Sequence, residues 1–155
     1  MDDIKIITKD AKETICLGGK LAKLLKPGDI IGLFGELGSG KTTFVKGIAS
    51  GLGLKKESVN SPTFVLMNIY QGKMPIYHFD LYRLEDKMQI EEIGYEDFLY
   101  AKGVSLVEWA EKAKDLMPKE YLRIYFRHKT INEREIRIVA KGKRYLILIK
   151  ELNKK

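Results

Sequence analysis

Apolar residues recur every three or four positions through residues 8–25, and this spacing predicts a helix capped at its start by Thr8. The following segment, 29–34 (DIIGLF), is almost continuously apolar, as expected for a strand buried on both faces of a parallel sheet. A glycine-rich turn comes next, and a second helix is predicted over residues 41–50. The pattern therefore indicates a strand, loop and helix unit early in the chain.

The middle of the chain predicts a hairpin followed by helices. Two strands are expected over 64–70 and 75–79, joined by a turn at 71–73. The acidic stretch 85–100 predicts one or two surface helices with a break at Gly94.

Short apolar or alternating segments continue to the end of the chain. Residues 104–107, 121–127 and 135–140 are predicted to be strands, whereas 145–152 fits a helix better than a strand. Strands interleaved with helices indicate a three-layer α/β/α fold around a mostly parallel, mixed sheet. We expect one domain over residues 1–155, with its ligand beyond the carboxyl ends of the strands.

Composition narrows the class of protein. The 155 residues are 45% apolar and 32% charged, which is ordinary for a soluble globular domain, and no run approaches the length of a membrane span. We therefore expect a cytoplasmic protein without a membrane partner. Cys16 is the one cysteine, so an internal disulfide is impossible, and packing is its expected role. His78 and His128 are too few and too far apart for a zinc cluster.

Charge is distributed unevenly along the chain. The formal net charge is +7, but residues 119–155 carry 12 Lys/Arg against 4 Asp/Glu, a net of +8. Residues 85–97 carry six acids and one lysine, a net of −5. The basic segment suits nucleic acid or an acidic protein, and a merely solvated lysine-rich surface is an equal alternative.

The glycine-rich turn carries the strongest motif. Residues 35–42 (GELGSGKT) match G-x-x-x-x-G-K-[ST] and stand between a predicted buried strand and a helix. In this arrangement the backbone N–H groups surround phosphates, Lys41 reaches the β- and γ-phosphates, and the Thr42 hydroxyl binds Mg²⁺. The residues expected to bind nucleotide are Gly35, Glu36, Leu37, Gly38, Ser39, Gly40, Lys41, Thr42 and Thr43, the last through the α-phosphate.

Two acids follow predicted strands. Asp80 ends the segment IYHFD and Glu108 ends VSLVE, so either carboxylate could bind the metal or orient the attacking water. The residues alone do not assign these two roles. The chain has neither the Asn-Lys-x-Asp segment used for guanine nor an Asp-x-x-Gly switch, so ATP is favoured over GTP.

Four linked motifs resemble those of the TsaE family, also called YjeE. They are GELGSGKTTF (35–44), SPTF (61–64), HFDLYRL (78–84) and VEWAE (107–111). The resemblance spans nearly the whole chain. It implies a cytoplasmic P-loop ATPase that uses ATP and Mg²⁺ beside the TsaB and TsaD proteins, which transfer threonylcarbamoyl to tRNA. Contact with tRNA would then be indirect, through that complex.

The resemblance also implies roles for individual residues. Lys41 and the loop glycines would bind phosphate, Thr42 and Glu108 would bind magnesium, and Asp80 would act near the metal or its waters. Thr63, in SPTF, would sense the γ-phosphate as part of a switch loop. Three neighbours stay open: Arg83 contacts phosphate, braces Asp80 or forms a surface ion pair; Trp109 packs against nucleotide, partner or core; and His78 is structural.

Two other functions compete with this interpretation. One is a small-metabolite or nucleoside kinase, which would need an acceptor pocket and a lid rich in arginine, whereas only Arg83 lies between Asp80 and Glu108. The other is a tRNA-binding accessory protein whose nucleotide switches its affinity. The basic C-terminal segment favours the second, and salt-dependent tRNA binding would distinguish it.

Overall fold

A mixed sheet forms the centre of the computed structural model, which describes residues 2–55, 58–59, 67–84, 91–92 and 94–154. Within these residues the sheet has seven strands in the order β1-β7-β6-β2-β5-β4-β3. Neighbours β6, β2, β5 and β4 are parallel, whereas β1 and β7 at one edge and β3 at the other pair in antiparallel fashion. The strands are β1 (Asp3–Thr8), β2 (Ile30–Phe34), β3 (Met67–Gln71), β4 (Pro75–Asp80), β5 (Val104–Glu108), β6 (Tyr121–His128) and β7 (Arg134–Lys141).

Helices cover the two faces of this sheet and create two apolar cores. The helices are α1 (Ala11–Ala22), α2 (Lys41–Gly51), α3 (Tyr95–Leu99), a kinked 3-10 segment (Ala110–Leu116) and α4 (Lys143–Asn153). Side chains of α1, α2 and α4 join the larger core, while α3 and the 3-10 segment join the smaller one on the opposite face. The three-layer α/β/α fold predicted from the sequence is therefore confirmed.

Helices α1 and α2 lie unusually close because glycine faces backbone at their contact. A Cβ on Gly18 would lie 2.5 Å from the carbonyl oxygen of Phe44, and one on Gly47 would lie 2.2 Å from that of Ile15. Both distances are far below van der Waals contact, so side chains would force the helices apart. This packing holds the start of α2 against the sheet.

The C-terminal helix α4 is fastened to the start of β2. Arg144 donates from Nε to Asp29 Oδ1 at 2.9 Å and from NH2 to Asp29 Oδ2 at 2.6 Å. The hydroxyl of Tyr145 accepts a hydrogen bond from the N–H of Ile30 at 2.9 Å. The pair is charge-assisted and bidentate, and Asp29 is buried, so these contacts tie the last helix to the central strand.

Most predicted elements are present with boundaries shifted by a few residues. The helix over 41–50, the strands over 29–34 and 104–107, the later two strands and the final helix are all confirmed. The hairpin is also present as β3 and β4, although residues 64–66 lie outside the described part. Of the acidic stretch, the structure describes α3, which begins after Gly94 in a left-handed conformation (φ 72°).

The start of the chain corrects the prediction. Thr8 does not cap a helix, because it is the last residue of strand β1. The cap of α1 is Asp10, whose Oδ1 accepts the N–H of Glu13 at 2.9 Å. The strand was missed because its partner is β7, more than 120 residues away in sequence. Cys16 is exposed, so its predicted packing role is also wrong.

None of the helices in the described ranges is both long and apolar enough to cross a membrane.

Candidate functional site

A cavity of about 420 Å³ lies beside the glycine-rich loop, at the carboxyl ends of the central strands. Residues 37–43 of the loop and of α2 line it, together with Asp80 from the end of β4 and Glu108 from the end of β5. This is the edge at which open α/β sheets bind ligands. Gly35 and Glu36 contribute through their carbonyl groups instead, as described below.

The loop shape depends on glycine at two positions. Gly35 has a φ of 149°, and a Cβ there would lie 2.7 Å from the carbonyl oxygen of Phe126. Gly40 has a φ of 110° and immediately precedes helix α2. Larger residues would strain both points, so the loop curls back only because glycine stands there.

Polar groups without partners converge on the cavity. The first N–H groups of a helix have no acceptor within it, and Lys41, Thr42 and Thr43 in the first turn of α2 all line the cavity. The Ser39 hydroxyl is buried and makes no hydrogen bond to any described residue. An anionic group such as a phosphate would satisfy these donors.

The ammonium of Lys41 is folded back onto the loop. Its side chain is buried and donates hydrogen bonds to the carbonyl oxygens of Gly35 and Glu36, the latter at 3.0 Å. Its Nζ also lies 3.8 Å from the ring centroid of Trp109, a cation–π contact. The ammonium is therefore held inside the protein with no carboxylate in direct contact among these partners.

Burial lowers the pKa of Lys41 below its ordinary value. The opposing effect comes from nearby carboxylates, which raise the pKa but do not offset the loss of hydration: Glu108, Glu111, Asp80 and Glu36. A bound phosphate would supply the negative charge that this buried ammonium lacks.

Thr42 and Glu108 form the central contact of the site. The Thr42 hydroxyl lies 2.8 Å from Oε1 and 3.0 Å from Oε2 of Glu108, and the carboxylate is only 2% exposed. The contact joins the start of α2 to the end of β5. A hydroxyl beside a carboxylate provides the hard oxygen ligands that Mg²⁺ prefers, so the residues present fit this metal.

His78 supports Glu108 from behind. Its Nε2 lies 2.6 Å from Glu108 Oε2, and its Nδ1 lies 3.2 Å from the Tyr70 hydroxyl. The sequence predicted a structural histidine, and His78 is indeed fully buried and hydrogen-bonded. Its partner is nevertheless the site carboxylate, which nothing in the sequence spacing indicated.

Asp80 lies beside Glu108 on the neighbouring strand. The two residues are direct partners in the parallel pairing of β4 with β5, and both line the cavity. Asp80 Oδ1 also accepts the N–H of Tyr82 at 3.1 Å, which caps the turn after β4. The structure thus brings both predicted carboxylates together, with Glu108 in contact with Thr42.

Aromatic side chains form one wall of the cavity. Trp109 is partly buried and adopts a left-handed backbone (φ 59°), and its ring lies 5.0 Å from that of Tyr82. Arg83 lines the same wall. Of the roles left open for Trp109, the structure favours a place at the ligand cavity over one in the core. Thr63 lies outside the described residues.

Arg134 is a cavity residue that the sequence analysis did not identify. Its NH1 donates to the carbonyl oxygens of Thr130, Ile131 and Glu133, and its NH2 lies 3.3 Å from that of Gly38. A lone arginine after a charged turn gives no sequence signal. Only the pairing of β6, β7 and β1 brings it to the loop.

The chain is similar to known proteins over most of its length. A family model described as "Threonylcarbamoyl adenosine biosynthesis protein TsaE" matches residues 8–136. A Bacillus subtilis (strain 168) protein named tRNA threonylcarbamoyladenosine biosynthesis protein TsaE is 42% identical over 155 residues, covering 99% of this chain and 96% of the relative. A Treponema pallidum (strain Nichols) protein of the same name is 36% identical over 135 residues, covering 87% of this chain and 99% of the relative. The crystal structure of Bacillus subtilis YdiB superposes with a TM-score of 0.82 at 37% identity, covering 97% of this chain and 93% of that one.

Proposed function

The chain belongs to the TsaE family, and from this membership we propose that it is a magnesium-dependent ATPase of tRNA threonylcarbamoyladenosine biosynthesis. In this proposal it works in the cytoplasm with TsaB and TsaD and meets tRNA through that complex. The family membership supports the pathway. The ATPase activity is argued from the site.

The contact between Thr42 and Glu108 carries the proposal. A hydroxyl from the first turn of α2 and a carboxylate from the end of β5 meet at 2.8 Å beside a buried lysine and a loop of free N–H donors. P-loop NTPases hold magnesium with these two kinds of group. A plain structural turn would have no use for a lysine buried in this way, since the burial costs free energy.

Each residue of the loop has a distinct task in nucleotide binding. The backbone N–H groups at the start of α2 and the Ser39 hydroxyl would donate to phosphate oxygens. Lys41 would exchange its hydrogen bonds to the loop carbonyls for bonds to the β- and γ-phosphates. Gly35 and Gly40 keep the backbone close enough for these contacts.

Thr42 and Glu108 would hold Mg²⁺, which when bound neutralises charge that develops on the transferred phosphoryl group. Glu108 is fixed for this role by His78. Asp80 would accept hydrogen bonds from the water that attacks the γ-phosphate or from metal-bound water. Trp109 shields the lysine from solvent, so its charge acts in a drier environment.

We expect the isolated chain to be a slow ATPase. The guanidinium of Arg134 is engaged by four backbone carbonyl groups, and it is therefore not aimed at a transferring phosphate. An arginine supplied by a partner increases rates by about 10³ to 10⁵ in other P-loop enzymes. TsaB and TsaD would complete the site in this way or by ordering the loop that contains Thr63.

The test is a steady-state assay of phosphate release with the chain alone, with TsaB and TsaD, and with candidate small acceptors. The proposal expects weak release alone and strong stimulation by the pair, with Lys41→Ala inactive in both. Transfer of phosphate to a small acceptor would identify a kinase. Full-rate hydrolysis that is unchanged by TsaB and TsaD would refute the partnership.

A further inference from the structure

Strand pairing brings two distant segments to the phosphate loop. Arg134, the first residue of β7, is the partner of Thr8 at the end of β1 and of His128 at the end of β6. The turn between β6 and β7, residues 129–133, therefore lies beside the junction of β1 with α1. Both segments stand at the end of the sheet where β2 enters the loop.

These segments line one end of the cavity. From the β1–α1 junction it is lined by Asp10, Ala11 and Thr14, and from the β6–β7 turn by Ile131, Asn132 and Arg134. They reach the loop near the start of α2, because a Cβ on Gly40 would lie 3.9 Å from Arg134 and 4.0 Å from Thr14. Neither segment contributes to the contact of Thr42 with Glu108.

The turn is held in shape before any ligand arrives. Besides the three turn carbonyls bound by Arg134, the N–H of Glu133 donates to the Thr130 hydroxyl at 3.1 Å. The N–H of Lys129 donates to the carbonyl of Glu133 at 3.0 Å. Arg134 NH2 then links this turn to the carbonyl of Gly38 in the loop. A rigid turn offers a surface that needs little ordering when a ligand binds.

Ile131 is the unusual member of this turn. Its side chain is 88% exposed, although it is a large branched apolar residue that lines a cavity. Leu37 of the loop lines the same cavity and is 68% exposed. Exposed apolar side chains at a binding cavity gain free energy when a flat apolar ligand surface covers them.

We propose that this end of the cavity is the nucleoside subsite, with the base packed against Ile131 and its polar edge near Asn132. The inference rests on the proposed binding of nucleotide, because the phosphate loop and the pair of Thr42 and Glu108 define where the phosphates lie. The remainder of the nucleotide must leave the loop away from Glu108. The side chain of Asn132 carries both a donor and an acceptor suited to a base edge.

The experiment compares ATP with inorganic tripolyphosphate, which has the phosphates but no nucleoside. Binding of each is measured by calorimetry for the unaltered chain, for Ile131→Ser, and for Ile147→Ser. Ile147 is a matched control because it is half exposed on α4, away from the cavity lining. Circular dichroism checks that both variants are folded.

The expected result is an increase in the Kd for ATP of about tenfold in Ile131→Ser, the effect of exposing about one apolar contact of this size. The Kd for tripolyphosphate should stay unchanged in this variant, and Ile147→Ser should alter neither. An unchanged Kd for ATP, or an equal loss for both ligands, would overturn the subsite while leaving nucleotide binding intact. Failure of the unaltered chain to bind either ligand would refute the proposed function itself.

Discussion

Nε2 of His78 lies 2.6 Å from Oε2 of Glu108, inside a protein interior that leaves the imidazole fully buried and the carboxylate almost so. The Tyr70 hydroxyl reaches the other ring nitrogen at 3.2 Å. An ionised carboxylate can only accept, so Nε2 donates to Glu108, while the Tyr70 hydroxyl donates to Nδ1. His78 is thus a positioning residue that holds Glu108 toward Thr42.

Two substitutions of His78 separate its two ring nitrogens. His78→Gln keeps an N–H donor near the position of Nε2, whereas His78→Asn keeps a polar group near Nδ1 only. We expect the glutamine variant to retain the magnesium requirement for phosphate release. The asparagine variant should need about 10- to 100-fold more magnesium, as when outer partners of metal ligands are lost. The measurement is phosphate release across a magnesium titration.

Thermal unfolding of both His78 variants provides the control, because a purely structural role would change stability without changing the magnesium requirement. Equal magnesium curves for the asparagine and glutamine variants would show that the bond to Glu108 is not what matters.

Glu108→Gln and Asp80→Asn should both slow ATP hydrolysis, by about 10² to 10⁴-fold for a lost metal ligand or base. The contact of Glu108 with Thr42 predicts that Glu108→Gln shows the larger rise in the magnesium concentration required. Asp80→Asn should mainly lower kcat. Rates measured over a magnesium series distinguish the two effects, and full activity in both variants would leave these acids with structural roles only.

Lys41→Met should abolish ATP binding without weakening the nucleotide-free fold. Because burial lowers the pKa of Lys41, the folded protein holds this proton less tightly than the unfolded chain does. The charged lysine therefore costs folding free energy below its lowered pKa, and this cost fades as pH rises toward the ordinary value. Methionine removes the charge and keeps most of the volume.

Urea unfolding at several pH values tests the sign. The free energy of unfolding of Lys41→Met should equal or exceed that of the unaltered chain at pH 7, and any advantage should narrow as the pH rises. A variant that is clearly less stable at pH 7 would mean that the hydrogen bonds to Gly35 and Glu36 outweigh the loss of hydration.

Arg144→Ala should lower the free energy of unfolding by about 2–4 kcal/mol, because it leaves the buried Asp29 without its bidentate partner. Arg127→Ala is the matched control. It removes an exposed pair with Glu135 and should change stability little. Chemical denaturation of the two variants gives the comparison, and similar losses would show that burial does not govern these pairs.

The sequence determined the elements that depend on local pattern. Strand β2, the turn after it and helix α2 were predictable because a buried apolar run, glycines that must adopt positive φ and an amphipathic helix each leave a local signature. The same holds for Asp80 and Glu108 as acids at strand ends. The family motifs added their roles as expectations.

Tertiary structure decided every relationship that depends on which strands become neighbours. The parallel register of β4 with β5 puts Asp80 opposite Glu108 and brings His78 behind it, and no spacing along the chain contains that register. Strand β1 was missed, and Arg134 was overlooked, because both depend on the pairing of β7 with the opposite end of the chain. Local propensity records what a segment can form, whereas the contacts that orient a functional side chain come from segments that meet only after the sheet has assembled.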